Sequence, residues 1–212
     1  MRLRDPQELS DLLTYLGRAE RMEHASTRLA AAGGALAVYT AVLHPEGLLD
    51  ATPTVLGLRV LPVDVDERFD EVVPIRPLTE RLRLAVGADP IEVSLPAAAA
   101  GVPWAGVAPP RAGWAPVGAV DAARLLAAAR AGAAEIAAAV PDAVGEHLVR
   151  RVRSEVWSRP MDGPERLPAG AAFAADYLGF LVEPDEAVPL FASGPWLRLS
   201  SARGHVLVRG RR

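Results

Sequence analysis

Residues 27–43 read Thr-Arg-Leu-Ala-Ala-Ala-Gly-Gly-Ala-Leu-Ala-Val-Tyr-Thr-Ala-Val-Leu. Two runs of strand-compatible residues, Thr27–Ala32 and Ala35–Leu43, flank Gly33-Gly34, a pair free to take the positive φ angles of a tight hairpin turn. On the second run Leu36, Val38, Thr40 and Val42 alternate with Ala37, Tyr39 and Ala41, the period-2 pattern of a strand. The stretch predicts an antiparallel hairpin. Its apolar face needs a cover, and the flanking sequence supplies one.

Upstream, Asp5-Pro6-Gln7-Glu8 predicts a helix start, with Asp5 as N-cap, proline at the first helical position and Glu8 closing a capping box. Leu9, Leu12, Leu13 and Leu16 then share one helical face up to about Met22, opposite Asp11, Arg18 and Arg21. Downstream, Pro45-Glu46-Gly47 predicts a turn and Thr54–Val63 a third strand. Val72–Arg76 and Arg81–Val86 read as further strands, with Pro74 and Pro77 pointing to a sheet edge; Leu78–Leu84 as a helical turn is the alternative.

Residues 101–118 hold eight Gly or Pro in eighteen and predict a covering loop that carries Trp104 and Trp114. A helical half follows. Asp121 is the expected N-cap of a first helix that Pro141 ends, Ala143–Trp157 is a second, and a third starts near Pro168 with Phe173, Tyr177, Leu178, Phe180 and Leu181. The chain closes with Val188–Phe191 and a hairpin of Trp196–Ser200 and His205–Arg209, on which Leu197, Leu199, Val206 and Val208 should face inward and Arg198, His205 and Arg209 outward. Together these elements predict one α+β domain over 1–212: a β-rich part at 1–100, a connecting loop at 101–118, and a helical part with the C-terminal hairpin at 119–212. No sequence repeat is visible.

Composition removes several chemistries. The chain contains no lysine, cysteine or asparagine, and Gln7 is its only glutamine. Thiolate nucleophiles, Schiff-base lysines, the phosphate-loop lysine and cysteine-bound metal are therefore absent. The net charge of −3 argues against a dedicated nucleic-acid binder. Charge is uneven, however, and the last ten residues hold four arginines and no acid. No secretory leader and no membrane-spanning run are visible, so the expected location is the cytoplasm.

The candidate sites follow from what remains. His24, His44, His147 and His205 lie too far apart in sequence for a local zinc motif. Asp64, Asp66, Glu67, Asp70 and Glu71 read as a solvated acidic connector rather than a cation site. Ser193 and Ser200-Ser201 sit in turn contexts, and no nucleophile elbow or glycine-rich phosphate loop occurs. We expect no catalytic residue, no cofactor and no metal site. Trp104, Arg111 and Trp114 are the candidate residues for a protein partner, or for self-association as a homodimer. Arg198, Arg203, His205, Arg209, Arg211 and Arg212 are the candidates for a polyanion such as nucleic acid. A third reading is a small-molecule pocket between sheet and helices, drawing on His44, Asp64 or Arg59.

Three phrases, Gly106–Trp114, Ala169–Gly179 and Trp196–Leu207, resemble an uncharacterised protein family of high-GC Gram-positive (actinobacterial) bacteria. The resemblance covers the second half best. It implies a bacterial cytoplasmic protein and assigns no site residue.

Overall fold

The computed structural model describes residues 1–22, 26–47, 49–65, 68–140, 145–163 and 166–210. The fold is α+β, with antiparallel ladders. The chain divides into two compact units, residues 1–41 with 58–108 and residues 42–57 with 109–212.

The first unit opens with β1 (Arg2–Leu3) and α1 (Pro6–Ala19). The predicted cap forms: Asp5 Oδ1 accepts from the Glu8 amide at 2.9 Å. Glu8 Oε2 reaches back to the Arg4 amide at 2.8 Å, one residue beyond the expected N-cap donor. Next come β2 (Ser26–Ala32) and β3 (Ala35–Leu43), joined by Gly33 and Gly34 at φ 61° and 79°. Then follow β4 (Thr54–Asp64), β5 (Phe69–Pro74), α2 (Ile75–Leu84), β6 (Ile91–Glu92) and a 3-10 turn at Pro103–Gly106. Strand order is β5-β2-β3-β4, while β1 pairs with both β4 and β6. The edge position predicted around Pro74 is observed in β5.

Of the two readings left open for this stretch the helical one holds: Leu78–Leu84 lies in α2, and no strand forms at Arg81–Val86. Ile75, Leu78, Thr79 and Leu82 are buried along one face, the three-to-four-residue spacing of a helix, and this outweighs the alternation that suggested a strand. Leu9, Leu12, Tyr15 and Leu16 form the buried face of α1, which packs against α2. Tyr15 is held by its hydroxyl, 2.7 Å from Thr40 Oγ1. Burial raises its pKa above the usual phenol range and keeps it neutral.

The second unit contains β7 (Ala115–Asp121), α3 (Ala122–Ala139), α4 (Glu146–Ser158), α5 (Ala169–Tyr177), β8 (Ala187–Ser193), β9 (Trp196–Ser201) and β10 (Gly204–Arg209). Its strands run β10-β9-β8-β7. The predicted loop 101–118 is shorter than expected, because its last four residues begin β7. Pro116 and Gly118 disguise that strand: proline donates nothing to a ladder, and the register shifts between 116 and 118 in a bulge. Asp121 precedes α3 as predicted, but its side chain makes no cap hydrogen bond.

Small residues set how closely the helices of this unit approach. Trp157 on α4 is buried, stacks on Phe173 at 4.6 Å between ring centroids, and covers Gly132 of α3. Gly204 at the start of β10 lies under the ring of Phe180 in the same way. A β-α-β-β-β order recurs as β1-α1-β2-β3-β4 and as β7-α3-β8-β9-β10, the latter with α4 and α5 inserted. The recurrence is one of topology, which explains why no sequence repeat signals it.

Candidate functional site

In the second unit, residues 110–114 lead into β7 beside the end of β8. The Trp114 indole Nε1 donates to the Pro110 carbonyl at 3.1 Å, which fixes the ring on its own loop. Gly113 approaches Ser193 of β8. The Arg198 guanidinium of β9 then lies 4.6 Å from the Trp114 ring centroid and 4.8 Å from that of Phe191. Phe191 is the direct cross-strand neighbour of Arg198. Both distances are within cation–π reach, so three side chains from a loop and two strands make one stack.

Register places His205 opposite Ser200, and Leu207 opposite Arg198. Successive odd positions share a face of a strand, so His205 and Leu207 stand beside Ser200 and Arg198. His205 Nδ1 lies 3.0 Å from Ser200 Oγ. Burial, and secondarily the charge of Arg198, lower the imidazole below its usual titration range. Burial also lowers Arg198 from its ordinary value.

The sign of the His205 shift gives a pH dependence. An unfolded chain binds this proton near pH 6.5, whereas the folded one resists it, so stability present above about pH 6.5 falls as pH drops toward the folded value. Unfolding midpoints measured across this range should decline on the acid side, and His205→Gln should flatten that decline. An imidazole resonance titrating at or above about 6.5 would contradict the assignment.

The other candidates are placed as follows. Trp104 is 5% exposed, within the 3-10 turn of the first unit. This corrects the surface role expected for it: the indole supplies core area that the surrounding alanines lack. Trp104 and Trp114 belong to different units. Arg111 is exposed, Arg203 is exposed in the β9–β10 turn, and Arg209 is half-buried. Arg211, Arg212, His24, Asp66 and Glu67 lie outside the described residues. The inward set of the hairpin is largely as expected, with Leu199, Val206 and Val208 buried, but Leu207 is buried too, so β10 is covered on both faces.

The polar residues of the pocket reading are tied elsewhere. Asp64 pairs with Arg4 at 3.1 Å and Arg59 with Asp11 at 2.7 Å. His44 Nδ1 lies 3.0 Å from the Pro45 carbonyl, and His147 accepts from Arg150 at 3.0 Å. Asp70 of the acidic run holds Arg28 at 2.7 Å. Two open grooves occur in the first unit, of ≈ 1350 and ≈ 960 Å³; Asp64 lines both, and neither Arg59 nor His44 lines either. No group of three or more histidines and carboxylates suited to a metal ion occurs among the described residues. No helix among them is long and apolar enough to cross a membrane.

Sequence reasoning found Trp114 and Arg198 separately and missed that they touch. Phe191 carried no signal, because its role depends on cross-strand register.

This architecture is of the sliding-clamp type. It is similar to the sliding clamp (DNA polymerase III subunit beta) of Bartonella birtlesii bound to griselimycin, at 12% identity and a TM-score of 0.51, covering 99% of this chain and 65% of the clamp. It is also similar to Caulobacter crescentus pol III beta, at 14% identity and a TM-score of 0.50, covering 95% and 64%. The chain therefore spans less than two thirds of the length of the clamps it matches, and at these identities the likeness is one of fold. Residues 1–106 match a domain of unknown function, DUF8010, and the chain belongs to that family. Residues 109–212 match a second domain of unknown function, DUF8185. No curated protein matches the chain.

Proposed function

We propose that this chain is a non-catalytic protein-interaction module that self-associates through the edge strand β7. The observation that carries the reading is the exposure of this strand: Ala115, Pro116, Val117, Gly118, Ala119 and Asp121 are all exposed, and only Val120 is buried. β7 pairs with β8 alone and ends its sheet. An edge of this kind presents unpaired main-chain donors and acceptors to another strand.

The contrast with β5, the edge of the first unit, supports it. Asp70 and Glu71 are exposed on β5, and charge there opposes pairing with another chain. β7 carries no charge from 115 to 120. Pro116 and the bulge blunt its start, which leaves Gly118–Asp121 as the segment able to pair. Antiparallel pairing of two such segments is self-complementary and closes as a two-fold dimer.

Sedimentation equilibrium tests this. The weight-average mass should rise from 22.4 kDa toward twice that value as concentration increases through the micromolar range. Ala119→Lys, which places a charge on the exposed pairing segment, should hold the chain at the lower mass. A native chain that remains monomeric to about millimolar concentration, or a variant that associates equally well, contradicts the proposal.

A second reading, contact with DNA, draws on the likeness to DNA polymerase clamps and on the exposed Arg203 turn. It predicts binding to duplex DNA that weakens steeply with salt, and an Arg203→Gln variant with a shallower salt slope. Micromolar protein showing no salt-sensitive binding removes it.

A further inference from the structure

We infer that Arg198, stacked between Trp114 and Phe191 and flanked by His205 and Ser200, is a recognition site for a carboxylate carried on an acidic protein segment. This inference goes beyond the β7 pairing and does not depend on it.

The first support is an uncompensated cation. Arg2, Arg4, Arg28, Arg59, Arg76, Arg151 and Arg159 each meet a carboxylate. Arg198 meets none among the described residues. Its partners are two aromatic rings, and its Nε–H is closed to solvent with no hydrogen-bond acceptor. A guanidinium drawn partly out of water without an anion carries a desolvation cost that a bound carboxylate offsets.

The second support is pre-organisation. Trp114 is fixed by its bond to Pro110, Phe191 and Arg198 are held by the β8–β9 ladder, and His205 is held by Ser200. The guanidinium is thus aimed before a ligand arrives, so little side-chain entropy is lost on binding. Its terminal amino groups match the two oxygens of a carboxylate. The rings beside it offer an apolar surface for the residue next to the acid.

The spacing of charge favours a single carboxylate over a nucleic-acid backbone. A polyanion is held by several cations that track successive phosphates. Here Arg203 lies in the turn before β10, and Arg209, opposite Trp196, is the one further described arginine on the face of Arg198, so the described cations form a pair and not a track. The other diagonal neighbour of Arg198 is His205, whose protonation is disfavoured by burial and by Arg198. A bound carboxylate reverses part of that penalty, and the ring therefore reports occupancy.

The test uses the full chain and three probes: N-acetyl-Leu-Glu-amide, its glutamine analogue, and inorganic phosphate. Trp114 indole and His205 ring resonances are followed by NMR. The glutamate peptide should give saturable shifts at roughly millimolar affinity and should move the His205 titration upward. The glutamine analogue should bind at least about tenfold more weakly, as loss of a charge-assisted bidentate contact requires. Arg198→Leu should abolish the response. Arg198→Lys, which keeps the charge and loses the fork, should reduce it by a similar tenfold and serves if the leucine variant fails to fold. Equal responses to the glutamate and glutamine peptides, no saturable shift with either, or a response to phosphate alone overturns the inference. Loss of this response with dimerisation intact would remove the carboxylate site and leave the β7 reading standing.

Discussion

Replacing Gly132 with alanine should destabilise the second unit by about 1–3 kcal/mol, although glycine-to-alanine changes inside helices usually stabilise by roughly 0.5–1 kcal/mol. The sign reverses because of one ring. A Cβ at position 132 would lie 2.3 Å from Trp157 Cζ3 and 2.8 Å from Cη2. The indole cannot easily give way, being 3% exposed and stacked on Phe173, which itself stacks on Tyr177. Gly17, inside α1, is the internal control. A Cβ there meets nothing within 4 Å, so Gly17→Ala should raise stability by the ordinary increment. Denaturant titration followed by tryptophan emission measures both. A stabilising Gly132→Ala would mean that Trp157 does not sit on α3.

Leu12→Ala should cost about 2–5 kcal/mol, a large loss for a single truncation in the first unit. Leu12 is 0% exposed and central to the α1 face made by Leu9, Tyr15 and Leu16. α1 packs on α2, whose Leu78 and Leu82 are also buried, and a close-packed core leaves few ways to refill the hole. Against a total stability of roughly 5–15 kcal/mol for a domain, such a loss should populate the unfolded form in mild denaturant. Leu84→Ala, truncating a side chain that is 86% exposed, should change stability by less than about 0.5 kcal/mol. Comparable losses at the two positions would contradict the assigned face of α1.

These contrasts show what the sequence could and could not convey. The Gly33-Gly34 hairpin and α1 were legible because turn chemistry, capping and period agree locally. α2 was ambiguous because Leu78, Leu82 and Leu84 fit both a strand and a helix over so short a run, and only packing against α1 decides between them. β7 was hidden since proline, glycine and alanine carry a loop signature. What makes Ala115–Asp121 a strand is its partner β8, some seventy residues away in sequence.

The candidate site was half visible for the same reason. Trp114 and Arg198 stood out as residue types, but the cation–π stack needs the 191–198 register and the fold of residues 110–114 that brings Trp114 to it. Trp104 looked equivalent to Trp114 in sequence, ten residues away and in the same Gly- and Pro-rich segment. Its burial depends on the closing of the first unit's core, which no local pattern around Trp104 announces.

Amide hydrogen exchange along β7 tests the interaction reading most directly. At dilute protein, Gly118–Asp121 should exchange faster than the doubly paired strand β8, and raising the concentration through the association range should slow exchange at 118–121 while Ala119→Lys removes that slowing. Exchange at these four residues that is independent of concentration in the native chain would contradict pairing through this edge.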